Sequence, residues 1–366
     1  MNKMVSVFTG IIIFMNLGCC SHVQDNAIAG PDMSKLAKDA SNPFPTRTQS
    51  WELGENHDPE LILVDNTYYM FYAGAAVSGT VPMVIGVQST SVANYPYGWA
   101  KYNNNPVLVH NTQTFDATLV SSPHPIRMQD NTYRLYYHGH NSATGLNLLG
   151  YATTTAAAFP GGWTKYAGNP IFTVGGGAAW DNTDLRPAEV IIPPWSSPDN
   201  TWHLLYGGSD GANWRGGHAT STDGIAWTRD AGNPVVNLGA GSAWDSHDVL
   251  PVGWYKAGST YYILYQGSNN AKWEIGYATT TDFVTFTKGA GNPILTVGGV
   301  GQWDKTTVEN PGAVYHAETD TVDLWYVGTD QAFAVNGSYN YRIGLARVLN
   351  LSSGFYGGTL FGGTIR

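Results

Sequence analysis

The residues of this 366-residue chain that could do acid–base chemistry cluster around a few prolines. Four of the carboxylic acids close to such a proline are candidates for this chemistry: Asp58, Asp184, Glu189 and Glu309. The neighbouring positions hold three histidines, an arginine, a further aspartate and an asparagine: His57, His124, Arg186, His247, Asp248 and Asn310. Only 12% of the chain is charged, so packing does not readily explain this concentration. Two carboxylic acids in one site can act as general acid and general base when their surroundings separate their pKa values.

These residues belong to an internal repeat with a period of about 60 to 65 residues. Five copies share a tyrosine followed two residues later by glycine, at Tyr72, Tyr137, Tyr206, Tyr265 and Tyr326. Four copies continue with an Asn-Pro pair, ending at Pro106, Pro170, Pro234 and Pro293, and an aromatic-Asp pair, ending at Asp116, Asp181, Asp245 and Asp304. The copies open on Pro59, Pro123, Pro187, Pro251 and Pro311. Four strand-like runs per copy are typical of a propeller blade, so the sequence predicts an all-β, five-bladed β-propeller over residues 41–366.

The N-terminal stretch is predicted to complete the last copy. That copy lacks its own Asn-Pro pair, while an unassigned pair stands at Asn42-Pro43, followed by Trp51-Glu52. A strand from this stretch would close the ring and remove exposed strand edges. We therefore expect residues 42–48 to pair with the strand that contains Ile343–Val348.

Alignment of the copies with one another separates framework from site. The recurring aspartates Asp116, Asp181, Asp245 and Asp304 are interpreted as structural, capping turns by accepting backbone N–H groups. The position just before the opening proline differs in every copy, as Asp58, Ser122, Arg186, Leu250 and Asn310. The opening strand of a blade lines the central channel, so these side chains are expected to face that channel. Charges placed there are expected to be used or paired.

Carboxylates that project from different blades into one channel suit the hydrolysis of glycosidic bonds. One carboxylate activates water or attacks the sugar, and a second, with a raised pKa, protonates the leaving oxygen. Arg186 could bind an acidic or hydroxyl group of the sugar, or hold a carboxylate in its ionised form. His57 and His247 are interpreted more readily as hydrogen-bonding groups than as acids. Asp184 and Asp248 share one repeat position, which leaves a framework role open for either.

The segments HDPELI and YYMFYAG, residues 57–62 and 68–74, resemble the opening blade of the five-bladed glycoside hydrolases. That superfamily contains families 43, 32, 68, 117 and 130, and the chain is most similar to family 43. The resemblance implies that Asp58 is the general base. The family's second-blade aspartate corresponds to Ser122 here, beside His124.

The position of the family's third-blade acid is occupied by Leu185, so the resemblance leaves Glu189 or Asp184 for that role. The family's Glu-x-Pro pattern does occur, but in the fifth copy, with Glu309. In family 117 a histidine replaces the usual acid, and His247 is its counterpart. We expect Asp58 as the base, and Glu189 ahead of Glu309 and Asp184 as the acid.

The resemblance implies a hydrolase that acts on plant or algal poly- or oligosaccharides, with inversion at the anomeric carbon. A carbohydrate-binding propeller without hydrolysis is the alternative, because two of the family's carboxylates are missing. No cofactor is expected to be required. A structural calcium ion is compatible with the family resemblance, although no segment has the ligand spacing of an EF-hand.

Composition and the N-terminus indicate where the protein works. The formal net charge is −9 without a basic cluster, which argues against a nucleic-acid partner. The first twenty residues, with Lys3 and an apolar run over Val5–Leu17, predict a signal peptide too short to span a membrane. Cys19 and Cys20 follow this run, as the lipidated cysteine of a bacterial lipoprotein does, and residues 21–40 are predicted to form a flexible tether. We expect a lipid-anchored protein of the outer membrane or a periplasmic protein, with secretion as the alternative.

Overall fold

The structure, a computed structural model, describes residues 30–44, 46–77, 82–112, 114–192, 200–331 and 340–348, and only the backbone of 187 and 188. The expected signal peptide, with Cys19 and Cys20, lies outside these ranges. Within them the chain forms twenty β-strands and two single-turn 3₁₀-helices, Met33–Lys35 and Ser50–Glu52, which confirms the all-β class. Neither of these helices has the length and hydropathy needed to cross a membrane.

The strands follow one another at regular intervals. In chain order they are β1 Leu36–Lys38, β2 Glu55–Val64, β3 Thr67–Ala75, β4 Val84–Ser91, β5 Ala100–Lys101, β6 Leu119–Arg127, β7 Tyr133–Asn141, β8 Leu146–Thr154, β9 Thr164–Lys165, β10 Asp184–Ile191, β11 Trp202–Ser209, β12 Trp214–Ser221, β13 Thr228–Arg229, β14 Asp248–Ala257, β15 Thr260–Ser268, β16 Trp273–Thr280, β17 Thr287–Lys288, β18 Thr307–His316, β19 Thr321–Thr329 and β20 Arg342–Val348.

Hydrogen bonding arranges the strands in five antiparallel four-stranded units that correspond to the sequence repeats. Units 1 to 4 are β2–β5, β6–β9, β10–β13 and β14–β17, and unit 5 has the order β18-β19-β20-β1. Units 3 and 4 share one eight-stranded sheet, because Trp214 of β12 pairs in parallel with Asp248 of β14. Each unit therefore contributes a long opening strand, two further strands and a short outer strand.

The second strand of each unit carries much of the core, because neighbouring units cover both of its faces. In β3, Met70, Phe71 and Tyr72 are fully buried. Phe71 packs in one cluster with Val120 of unit 2, whereas Met70 and Tyr72 pack in another with Trp325 of unit 5. Apolar burial on both sides explains why these strands are continuous apolar runs without polar alternation.

An asparagine side chain holds the third strand in every unit. Asn105 accepts a hydrogen bond from the backbone N–H of Val87 at 2.9 Å and donates to the carbonyl of the same residue at 2.8 Å. The same two bonds join Asn169 to Tyr151, Asn233 to His218, Asn292 to Tyr277 and, in unit 5, Asn42 to Leu345. The asparagine of each Asn-Pro pair therefore belongs to the framework of its unit.

The recurring aspartates are structural, but the prediction that they cap turns through backbone N–H groups was wrong about their main partners. Each is nearly completely buried and accepts a hydrogen bond from the tyrosine of the unit that follows it in the chain, as in Asp116–Tyr137, Asp181–Tyr206, Asp245–Tyr265 and Asp304–Tyr326. A cation completes each group: Lys165, Arg229, Lys288 and Lys38. In unit 1, Glu52, Tyr72 and Lys101 form the same arrangement. A buried carboxylate needs such a counter-charge, which a turn N–H does not supply.

The N-terminal segment lies against β20, as expected, although the regular pairing is made by other residues. Leu36–Lys38 forms the strand, with Leu36 opposite Val348. In the predicted segment, Asn42 makes two side-chain hydrogen bonds to the backbone of Leu345, and the N–H of Phe44 donates to the carbonyl of Ile343 at 2.9 Å. Residues 36–38 were placed in the flexible tether, but Lys38 forms the ion pair with Asp304 at 2.7 Å. The equivalent cation in units 1 to 4 comes from the outer strand.

The five opening strands contact one another in the order β2, β6, β10, β14 and β18, and β18 also contacts β2. Two of these approaches leave no room for a side chain. A Cβ atom on Gly312 would overlap the carbonyl oxygen of Pro59, and one on Gly253 would overlap that of Pro311. The first and last units are thus in direct backbone contact.

Replacing Lys38 with methionine should lower the free energy of unfolding by about 1.5–3 kcal/mol, because Asp304 would lose a charged partner while staying buried. Lys35→Met is a matched control three residues away, since Lys35 and Asp32 form an exposed pair worth about 0–1 kcal/mol. Urea denaturation of both variants measures the difference. Equal stability of the two variants would contradict the role assigned to Lys38.

Candidate active site

A β-bulge near the beginning of each opening strand sets the direction of the candidate side chains. The strand register shifts between His57 and Glu60, Ser121 and His124, Arg186 and Ala188, Pro251 and Gly253, and Glu309 and Gly312. In three units the residue before the proline has a left-handed backbone conformation: Asp58 (φ 53°), Ser122 (φ 46°) and Asn310 (φ 49°). Residues other than glycine rarely adopt this conformation, and such bulges are frequent where a side chain is aimed into a site.

Asp58 is held by the neighbouring unit. Its Oδ2 accepts hydrogen bonds from the backbone N–H of Ser122 at 2.9 Å and from the Ser122 hydroxyl at 3.2 Å. The position where the resembled family has a second aspartate therefore supplies hydrogen-bond donors to the Asp58 carboxylate instead.

Glu309 comes to the same region from unit 5 and is only 8% exposed. Burial raises its pKa to about 7 and the negative charge of Asp58 acts in the same direction, whereas His57, a hydrogen bond with Tyr341 and the charge of Arg186 oppose the shift. A carboxyl group with this pKa retains its proton near neutral pH, as a general acid requires.

His57 lies beside this pair as a basic group. Its Nε2 is 3.7 Å from a carboxylate oxygen of Glu55, and its ring centroid is 4.2 Å from that of Tyr341. Burial by itself would lower the pKa of His57, but Glu55, and then the charges of Asp58 and Glu309, raise it. An imidazolium here would offset the carboxylate charges around it.

Arg186 is a cation without a close carboxylate partner in the described part of the protein. Its side chain is 52% exposed and its guanidinium carbon is 5.5 Å from the ring centroid of Trp214. The nearest carboxylate oxygen, on Asp184, is 3.9 Å away. This oxygen is beyond hydrogen-bonding distance, so the N–H groups of the guanidinium can donate to a ligand.

Asp184 and Asp248 both connect their unit to the preceding one. Asp184 accepts hydrogen bonds from the side chain of Asn147 at 2.7 and 2.8 Å and from the Asn147 backbone at 3.2 Å. Asp248 accepts one from the backbone N–H of Trp214 at 3.0 Å, and its other oxygen contacts Nδ1 of the half-exposed His247 at 2.8 Å. The geometry favours a framework role for both aspartates.

Glu189 lies in a buried cluster with His124 and Glu60. Nδ1 of His124 is 2.9 Å from Oε2 of Glu189 and 3.6 Å from Oε1 of Glu60, and its Nε2 donates to the carbonyl of Val190 at 2.8 Å. Although burial opposes it, the charge of Glu189, with that of Glu60, raises the pKa of His124 to about 9. Burial and the charge of Glu189 raise the pKa of Glu60 well above its usual range. As the counter-ion of His124, Glu189 is poorly suited to donate a proton.

Glu60 was not predicted from the sequence as a site residue. A signal was available, because Glu60 and His124 occupy the same position, just after the opening proline, in neighbouring copies. The oxygen and nitrogen atoms of Glu60, His124 and Glu189 lie within 4.8 Å of one another. Calcium prefers six to eight oxygen ligands, so the imidazole in this set does not fit the calcium ion suggested by the family resemblance.

One small pocket connects the two groups of residues. Its lining includes Asp58, Ser122 and Asn310, which each stand directly before an opening proline. It also includes Glu60 and Glu189, which each follow an opening proline in the chain. The structure thus brings Asp58, Glu189 and Asn310 together, while Glu309, His57 and Arg186 act electrostatically on the same region.

No protein-family model and no curated protein sequence matches the chain. Solved structures do match. A complex of BT0996 with RGII has a TM-score of 0.67 at 16% identity, over 87% of this chain and 94% of that one. Zg3597, a family 117 glycoside hydrolase of the marine bacterium Zobellia galactanivorans, has a TM-score of 0.62 at 15% identity, over 86% of this chain and 90% of its own. A thermostable family-43 glycoside hydrolase has a TM-score of 0.58 at 16% identity, over 82% of this chain and 92% of its own.

The chain shares the fold of propeller glycoside hydrolases. The resemblance seen in the sequence is confirmed at this level, with no preference shown for family 43. The matching structures also include one from the GH130 family of mannoside phosphorylases, a family that contains glycoside hydrolases, and a β-1,2-mannobiose phosphorylase from Listeria innocua. At such low identity the similarity concerns the fold alone, so the chemistry must be argued from the residues.

Asp184→Ala should lower the free energy of unfolding by about 1–3 kcal/mol, because Asn147 would lose a buried acceptor. Glu318→Ala serves as the control, since Glu318 is 76% exposed and surface substitutions usually stay within about 0.5 kcal/mol. Chemical denaturation distinguishes the two. Unchanged stability together with lost hydrolytic activity would restore Asp184 as a candidate acid.

Proposed function

We propose that the protein is a glycoside hydrolase built on a closed five-bladed propeller, and that it cleaves a plant or algal oligo- or polysaccharide. The cyclic contacts of the opening strands and the pairing of β1 with β20 support the closed ring. The shared fold supports the reaction class.

We assign Asp58 as the general base and Glu309 as the general acid. The observation that carries this assignment is that the contact between β18 and β2 buries Glu309 where the charge of Asp58 acts on it, so that its pKa rises to about 7. Glu309 gives its proton to the glycosidic oxygen as the bond from that oxygen to the anomeric carbon breaks. Asp58 takes a proton from the water molecule that forms the new bond to this carbon on the opposite face, so the configuration inverts.

The neighbouring residues fit these roles. Ser122 holds the Asp58 carboxylate through two hydrogen bonds. Tyr341 and His57 stabilise the ionised form of Glu309 that remains after proton transfer. Glu189, the acid that the sequence favours, forms an ion pair with His124 instead.

Substrate binding is assigned to the more exposed polar groups. Arg186 offers paired N–H donors to sugar hydroxyl or carboxylate groups beside the flat face of Trp214. His247, which the buried framework residue Asp248 holds, adds a half-exposed imidazole in the next unit, and Asn310 lines the pocket next to Asp58. The burial of His124 assigns it to the framework instead of the substrate.

Glu309→Gln should reduce kcat about 10²–10⁴-fold, because the general acid is lost. The wild-type kcat/KM should fall as pH rises through about 7, where Glu309 loses its proton, and this basic limb should disappear in the variant. The pH profile is measured on whichever arabino-, xylo-, galacto- or anhydrogalacto-oligosaccharide the wild type hydrolyses. Glu189→Gln is the matched carboxylate control and should keep the basic limb; a wild-type profile in Glu309→Gln would exclude Glu309 as the acid.

Asp58→Asn should lose hydrolysis of arabino-, xylo-, galacto- or anhydrogalacto-oligosaccharides while retaining binding, because the amide cannot accept the proton of water. Product analysis by NMR reports the rate and the anomer released first. Undiminished hydrolysis by the variant would refute the assigned base. Binding of these sugars without hydrolysis by the wild type would support the carbohydrate-binding alternative.

We further propose that the protein is exported and held at the cell envelope through a lipid on Cys19 or Cys20. The apolar run that precedes these cysteines supports this location.

A further inference from the structure

We propose that Glu60, His124 and Glu189 form a binding site for a divalent transition-metal ion, such as zinc or manganese. The three side chains come from the opening strands of units 1, 2 and 3. His124 and Glu189 are 5% and 6% exposed, so neither is an ordinary surface residue. The proposal concerns a site separate from the Asp58–Glu309 pair and does not depend on hydrolysis.

The spacing of the ligand atoms suits one ion. Bonds from a metal such as zinc to nitrogen and carboxylate oxygen are about 2.0–2.2 Å long, which puts adjacent ligand atoms roughly 3.0–3.5 Å apart. Nδ1 of His124 lies 2.9 Å from Glu189 and 3.6 Å from Glu60. A shared ion therefore requires only small side-chain adjustments.

Two buried polar atoms of this cluster face each other at a short distance. Nδ1 of His124 and Oε2 of Glu189 form an ion pair at 2.9 Å, but in the described part of the chain neither atom has the geometry of a hydrogen bond to any group. Buried polar atoms normally make such bonds, and leaving them without one is costly. A metal ion bound to both atoms would supply the missing partner.

The second nitrogen of His124 is oriented as in metal sites. Its Nε2–H donates to the carbonyl of Val190 at 2.8 Å, which leaves Nδ1 as the atom that faces the carboxylates. Histidine ligands almost always donate their other ring N–H to a carbonyl or carboxylate in this way. This contact therefore points to a ligand independently of the acidic residues.

The chemistry of the three donors selects the type of ion. Two carboxylate oxygens and one imidazole nitrogen suit zinc or manganese better than calcium, which prefers oxygen alone. Glu60 and Glu189 also line the pocket shared with Asp58, which provides an entry path and room for water in the remaining coordination positions. Such an ion would offset two buried carboxylates and tie units 1 to 3 together.

The test uses the full chain, treated with EDTA and then titrated with Zn²⁺, Mn²⁺, Co²⁺ or Ca²⁺. We expect one equivalent of Zn²⁺ or Co²⁺ to bind, with a rise in the thermal midpoint and visible absorption bands for Co²⁺. Glu60→Gln and Glu189→Gln preserve side-chain volume and should each weaken binding at least tenfold. His316→Asn, which removes a histidine paired with Asp323 outside this cluster, should bind as the wild type does.

Three results would overturn the proposal: no stoichiometric uptake by the wild type, preference for Ca²⁺ over all three transition ions, or uptake that both glutamine variants leave unchanged. If a variant does not fold, as judged by circular dichroism, the wild-type titrations still decide the outcome. Absence of glycosidase activity would leave these readouts unaffected, so this proposal and the proposed function fail separately.

Discussion

The close approach of the five opening strands is the constraint on which the other features of this protein depend. Between units 4 and 5, and between units 5 and 1, the strands approach so closely that only Gly253 and Gly312 fit. Side chains from the remaining units must share the small space left between the strands. Polar groups in such a space need partners, so the charge state of each depends on side chains from neighbouring units as well as on its own sequence neighbours.

Two kinds of buried carboxylate result, and their partners distinguish them. Away from the central strands, a carboxylate in each unit is bound by a tyrosine and a lysine or arginine, as in the group formed by Asp304, Tyr326 and Lys38. Between the opening strands, Glu309 is buried with the negative charge of Asp58 as a neighbour, so its pKa rises. The same chemical group therefore stabilises the fold in one place and is suited to hold a transferable proton in another.

Much of the framework was predictable because it recurs. The five Tyr-x-Gly segments, the Asn-Pro pairs and the prolines identified the units, and Asn42 correctly located the N-terminal segment against β20. The partner of the recurring aspartates was not predicted, because the lysine or arginine lies roughly fifty residues away in units 1 to 4, on the outer strand of the unit that follows the aspartate. The strand at Leu36–Lys38 was missed because three residues carry no recognisable period.

The proposed acid partner of Asp58 was also not predictable from the sequence, because the two residues are distant in the chain. Chain order and family resemblance favoured Glu189 in the third unit, whereas in the structure the charge of Asp58 in the first unit acts on the buried Glu309 of the last. The contact between β18 and β2 makes these two units neighbours, and Glu189 is engaged with His124 and Glu60 instead.

The sequence by itself determined the all-β class, the repeat, the framework asparagines and the singular position of Asp58, because each of these is a local pattern that hydrogen bonding and packing repeat five times. Only the tertiary structure decided which acids face one another and which are neutralised. Electrostatic interactions act through space, so the pKa of Glu309 and the grouping of Glu60 with His124 and Glu189 follow from the folded strands and from no property of the separate segments.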